Sequence, residues 1–242
     1  MSTTAIYFSV GEIHGQAMTK TYSITRVTEE VPLTGEHTDT VWADVPALAL
    51  EEFTWHDGDE PKPATTARLC YDEAALYAQF QVDDTEITAS VTELNGPTFE
   101  DSSVELFADP TPGEDSRYFN FEPNCCGQFK LAWQETDWEE RGIGRELIMP
   151  DVAEQVDVRT SVSGSTKASA PDDESWWLAA RIPFAVLSDV TGLEIAPESG
   201  TEWRGNLYRS GLPDTQKSTW NPIAEPEPDY HSPSYFGRLA FE

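Results

Sequence analysis

Apolar and polar side chains alternate with a period of two in run after run of this chain, and turn-forming residues break the runs at short intervals. Such alternation suits half-buried strands and cannot present one continuous apolar stripe on a helix. Residues 66–71 and 76–82 are the first clear pair, joined by Asp72-Glu73-Ala74-Ala75, which reads as a hairpin turn. Further strand-like runs cover 103–108, 117–122, 128–134, 156–162, 176–182, 203–209 and 236–241. Helical spacing is scarce. Residues 183–189 form the best short helix, with Pro183 suited to its first turn and Phe184, Val186 and Leu187 facing inward. Residues 40–50 allow one helical turn, which Pro46 interrupts. The expected fold class is therefore all-β: a sandwich of two antiparallel sheets with long loops and one or two short helices.

Length and composition agree with a single large β-domain. At 242 residues with 38% hydrophobic content, including 8 Trp, 11 Phe and 8 Tyr, the chain can enclose a core. Residues 1–34 read as an N-terminal arm and first strand, with 1–17 an extension or flexible arm ahead of a second possible start at Met18. Residues 35–242 read as one domain, without internal repeat or composition shift. No apolar run is long enough to span a bilayer, and no basic region followed by an apolar stretch opens the chain. That pattern points to the cytoplasm, or to export if the start is wrongly assigned.

Charge narrows the partners. Fifteen Lys and Arg face 44 Asp and Glu, a net −29. Spread along the whole chain, this acidity repels phosphate backbones and anionic membranes, so neither nucleic acid nor membrane is an expected partner. It suits a salty milieu, where self-repulsion is screened. Cys125 and Cys126 are adjacent and Cys70 stands apart, which builds neither a disulfide framework nor a zinc site.

Four loops are expected, at 54–65, 109–117, 163–175 and 210–234, and the last carries five prolines. A long loop with aromatics inside a compact domain is more often functional than idle. Phe99, Trp220 and Tyr230 sit on such loops among Pro, Asp and Asn, where a core does not require them. Flat rings stack on the apolar C–H faces of sugars; the competing reading is that they pin loops to the core. Glu105, Asn120, Arg204 and Asn206 are polar residues inside strand-like runs, able to bridge neighbouring hydroxyls if they converge, or else the solvent side of alternating strands. His231 follows Tyr230 and reads as a loop or binding residue. Together these suggest a mono- or oligosaccharide ligand. Protein partners are not indicated.

Two other chemistries are open to these residues. Asp57, Asp59, Glu100 and Asp101 could donate oxygens to a structural Ca²⁺, although neither acidic stretch matches a full calcium-loop signature. Glu105 with Asp101 could supply the carboxylate pair of a glycosidase, but among 44 acids chance pairs are certain. Gly-x-Ser-x-Gly elbows and phosphate-cradling Gly loops are absent, and three methionines make haem ligation improbable, so no organic cofactor is expected. A sandwich that has lost its ligand and serves as a structural or interaction module is the remaining alternative.

Five segments carry a resemblance. Residues 67–80, 99–107 (Phe-Glu-Asp-Ser-Ser-Val-Glu-Leu-Phe), 118–124, 203–208 and 231–237 together resemble family 9 carbohydrate-binding modules, in the correct order and nearest to the stand-alone branch. The resemblance implies a β-sandwich that binds glucose- or xylose-type sugars between two stacking aromatics, often at chain ends, in the service of polysaccharide catabolism. It also implies structural calcium. By position it puts the first ring at Phe99, the second at Tyr230 and a hydroxyl acceptor at Glu105, with Asn120 near a polar strand position. Phe and Tyr stand where tryptophans are usual, which implies weaker stacking unless Trp220 folds over the site. Such modules are usually appended to secreted glycosidases. With no catalytic domain or export signal in view, a targeting role is not expected here.

Overall fold

In a computed structural model, residues 19–59, 61–114 and 116–242 are described. The arm at 1–17 and Glu60 lie outside them. Thirteen strands follow in chain order: β1 Thr21–Arg26, β2 Leu48–Ala49, β3 Thr65–Tyr71, β4 Ala75–Asp83, β5 Ser103–Asp109, β6 Arg117–Pro123, β7 Phe129–Glu135, β8 Glu146–Leu147, β9 Asp157–Thr160, β10 Ser175–Pro183, β11 Glu202–Ser210, β12 Ser218–Thr219 and β13 Gly237–Phe241. Two short helices join them, α1 Pro150–Ala153 and α2 Phe184–Thr191.

Local chemistry explains several boundaries. Asp72 Oδ1 accepts from the backbone N–H of Ala74 and Ala75 at 2.7 and 2.8 Å, closing the expected β3–β4 turn. Thr40 caps a 3₁₀ turn at Val41–Asp44 through Trp42 N–H, and Val45-Pro46 ends it. Pro183 is the last residue of β10 and the N-cap of α2, one step before the first-turn place expected for it. Gly192, at φ 69°, stops α2 in the left-handed conformation.

The all-β class holds, but two separate antiparallel sheets are not formed. One continuous, curled, mixed sheet runs β8-β7-β6-β5-β11-β13-β1-β3-β4-β10-β9, with β12 on β11 and β2 on β3. The joint is β1. Its residues Thr21–Ile24 pair in parallel with β13, and Thr25–Arg26 pair in parallel with β3. Alternation reports which face of a strand is buried but not which strand lies beside it, so a strand shared by both arms leaves no local mark.

The two arms enclose one core, in which Ile24, Leu69, Phe80, Leu106, Phe121, Leu178 and Leu207 are fully buried. A buried ion pair crosses it: Arg209 donates to Asp84 at 2.6 Å, and Asp84 also accepts from Ser102 Oγ and Trp176 Nε1. Arg209 therefore points into the core, while its neighbours Tyr208 and Ser210 point to the opposite face. That second face, on β7-β6-β5-β11, carries polar and aromatic side chains and positions the site.

Candidate functional site

Strand register decides which groups meet. Phe107 of β5 pairs with Asn120 of β6 and Asn206 of β11, Glu105 pairs with Tyr208, and Glu122 of β6 pairs with Lys130 of β7. Because side chains of paired residues share a face, Glu105, Phe107, Tyr118, Asn120, Glu122, Lys130, Gln134 and Tyr208 all stand on one side of the sheet. Above them opens a pocket of about 360 Å³ bordered by Phe99, the 136–145 loop with Trp138 and Arg145, and the 228–231 loop.

Phe99 sits on a 3₁₀ turn, Thr98–Glu100, which is held down where Thr98 Oγ1 donates to the Glu122 carbonyl at 2.7 Å. Thr98 is buried and Phe99 is 48% exposed, a large apolar ring turned outward. Lys130 Nζ lies 5.2 Å from its centroid and pairs with Glu122 Oε2 at 3.0 Å, with both charged side chains almost fully buried. Across the pocket, the Arg145 guanidinium lies 4.2 Å from the Trp138 ring.

Glu105 is buried in the floor and accepts from Ser210 Oγ. Burial, and secondarily the negative charge of Glu122, push its carboxyl up to about 8, which favours the protonated form that can donate. Tyr230 also lines the pocket but forms part of its floor. Its ring stacks on Tyr208 at 4.2 Å and 12°, and its hydroxyl donates to the Arg209 carbonyl at 2.8 Å. His231 stands beside it, its ring 5.1 Å from Phe107. Its Nδ1 faces the Tyr118 hydroxyl and the Gln134 amide nitrogen, and burial lowers its proton affinity below the usual histidine value.

Of the residues singled out from sequence, Phe99, Glu105, Tyr230 and His231 line this pocket. Asn120 lies behind it, fully buried and donating to Glu122 Oε1. The other three serve the framework. Arg204 donates twice to the Phe236 carbonyl. Asn206 bonds Asn221 through both ends of its amide. Trp220 is 4% exposed, packed edge-on to Tyr22 and close against Gly237.

The acidic residues considered for calcium do not fit a cation. Asp101 is buried, and its two oxygens accept from Ser90 N–H and Oγ, Val91 N–H and Asn124 Nδ2. Those donors saturate the carboxylate and tie Ser90 and Val91 to the turn that follows β6. Asp57, Asp59 and Glu100 are exposed, and among the described residues no three His, Cys, Asp or Glu side chains are grouped to hold a metal.

Glu122, Lys130, Trp138 and Arg145 were not foreseen. Glu122 and Lys130 did leave a signal, since opposite charges eight residues apart flank a tight turn and face one another across a hairpin. Trp138 is the lone ring in the charged stretch Asp137-Trp138-Glu139-Glu140-Arg141.

The model of carbohydrate-binding family 9 matches residues 37–241, most of the chain. This chain belongs to carbohydrate-binding family 9. A fungal relative, an extracellular protein of Arthroderma benhamiae, is 22% identical over 193 residues, spanning 75% of this chain and 80% of that protein. The fold matches the crystal structure of a candidate carbohydrate-binding protein from Bacteroides uniformis at TM-score 0.77 and 24% identity, covering 93% of this chain and all of that one. It also matches a family 9 module of Caldicellulosiruptor kristjanssonii solved with glucose, at TM-score 0.54, and with cellotriose, at 0.57, each 16% identical. These cover 92% of this chain and 96% and 94% of theirs. At such identities the likeness is one of fold.

Proposed function

We propose that this chain binds a saccharide of the glucose or xylose type, without cleaving it, in the pocket between Phe99 and Trp138, as a recognition step in polysaccharide catabolism. The observation that carries the reading is Phe99: a ring 48% exposed at the lip of a pocket whose floor is buried polar groups. A sugar offers an apolar C–H face to such a ring and hydroxyls to the floor. Lys130 supplies a donor, Glu122 an acceptor, and Glu105 either. Membership of family 9 and the glucose- and cellotriose-bound relatives support the same reading.

Cleavage through Glu105 and Asp101 has no matching geometry. Asp101 does not line the pocket, and its carboxylate is committed to four donors. Calorimetric titration with glucose, xylose and cello-oligosaccharides, followed by chromatography of the recovered sugars, tests both halves. Saturable binding with intact oligosaccharides is expected. No heat with any of them would overturn the binding reading, and shortened products would overturn the non-catalytic one.

A further inference from the structure

Basic residues are scarce in this protein, 15 against 44 acidic ones, yet three of them, Lys130, Arg145 and Lys217, line this one pocket. Two have carboxylate partners. Lys130 is paired with Glu122 at 3.0 Å, and Lys217 with Asp214 at 2.7 Å. Arg145 is different. Its contacts are the Trp138 ring at 4.2 Å and Gln134 Oε1 at 3.3 Å, and among the described residues it has no carboxylate partner. On a surface this acidic, a half-buried guanidinium without a carboxylate is an unmet charge at the wall of a binding site.

The acids of the pocket are largely accounted for. Glu122 is held by Lys130. Glu105 is pushed toward its uncharged form by burial and by Glu122, and so opposes an incoming anion less than an ordinary carboxylate would. Glu139 and Asp229 remain, both exposed at the rim, where solvent screens them, and Asp229 Oδ1 also accepts from His231 N–H at 2.8 Å. Trp138 lies 4.2 Å from the Arg145 guanidinium and Gln134 takes one of its N–H groups, and the remaining donors of this planar fork suit a carboxylate.

We propose that the preferred ligand is an acidic sugar, a hexuronate whose ring lies against the aromatic walls and whose carboxylate is received by Arg145. This deepens the saccharide reading and rests on it. The discriminating group is the one at C5: a carboxylate in a hexuronate, a hydroxymethyl in glucose.

The test is calorimetry at low and high salt with D-glucose, D-glucuronate and neutral D-glucuronamide, on the full chain and on Arg145→Gln and Arg145→Lys. Glucuronate should bind about tenfold more tightly than glucose or the amide at low salt, as one charge-assisted hydrogen-bonded pair can provide. The advantage should shrink with salt, vanish in Arg145→Gln and survive in part in Arg145→Lys. Equal or weaker binding of glucuronate would overturn the inference while leaving saccharide binding in place. An advantage that persists in Arg145→Gln would overturn the role of Arg145. Binding of none of the three would remove the saccharide reading itself.

Discussion

His231 Nδ1 lies 2.8 Å from the hydroxyl of Tyr118, and the amide nitrogen of Gln134 approaches the same atom at 3.0 Å. The orientation of that amide is fixed, because Arg145 donates to its oxygen. Nδ1 therefore accepts, the neutral ring carries its proton on Nε2, and Nε2–H is the donor left for a ligand.

Replacing His231 with Phe should weaken sugar binding about tenfold, the scale of one lost hydrogen bond in a desolvated site. Stability should fall by less than about 2 kcal/mol, because the Gln134 amide also donates directly to Tyr118 at 3.1 Å. The same geometry gives a pH dependence. A histidine whose proton affinity is lowered by folding contributes stability above its ordinary value of 6.5, and loses it as the pH falls below that value. Binding should weaken over the same acid range. Titrations from pH 7.5 to 5 check both, and unchanged affinity would contradict the assignment of Nε2–H.

Phe99 is turned to solvent and its backbone is held by buried Thr98. Phe99→Ala should leave the melting temperature within about 2 °C, as surface substitutions do. It should cost about tenfold or more in sugar affinity, the scale of a base or sugar face lost from an aromatic platform. Phe99→Trp should tighten binding. Thermal unfolding and titration of the same samples separate the two effects.

Glu105 ties stability to pH in the opposite sense to His231. Its carboxyl is raised from 4.5 to about 8. The folded state thus holds a proton that the unfolded chain releases, and the contribution to stability is full below pH 4.5 and lost as the pH rises through 8. Glu105→Gln keeps the shape without the ionisation. Its stability relative to wild type should rise steadily between those two pH values, measured by urea unfolding. A constant difference would show that Glu105 is ionised in the fold.

Asp84 and Arg209 form their ion pair with both side chains essentially inaccessible. Asp84→Asn would leave a buried guanidinium uncompensated, and a loss of about 3–5 kcal/mol is expected. Replacing both with apolar residues should recover much of that. A loss below about 1 kcal/mol for the single change, again by urea unfolding, would mean that Arg209 finds water or another acceptor.

Much of the framework was legible because each long strand carries its own record of burial. The pattern at 103–108, 117–122, 176–182 and 203–209 marks β5, β6, β10 and β11 to within a residue or two. β2, β8 and β12 are two residues long and too short to show a period. The pairing of β1 with both arms depends on residues more than 200 positions away at β13, which alternation does not encode. At the site, Phe99 and Glu105 were legible because a turn and the following strand fix them locally. Trp220 misled for the opposite reason. Its neighbours in sequence are polar, but its neighbours in space are Tyr22 and Gly237. Trp138 and Arg145 reach the pocket only because β7 and β8 carry their connecting loop to its edge.

The most direct test of where this protein binds sugar is a two-dimensional ¹H–¹⁵N NMR titration with glucose, following the backbone amides and the tryptophan indoles. Saturable shifts at the Trp138 indole and at the amides of Phe99, Lys130 and His231, with the buried Trp203 and Trp220 indoles unmoved, are the expected result. Shifts confined to the cleft beside Pro63 and Leu212, or none at saturating glucose, would contradict the placement of the site between Phe99 and Trp138.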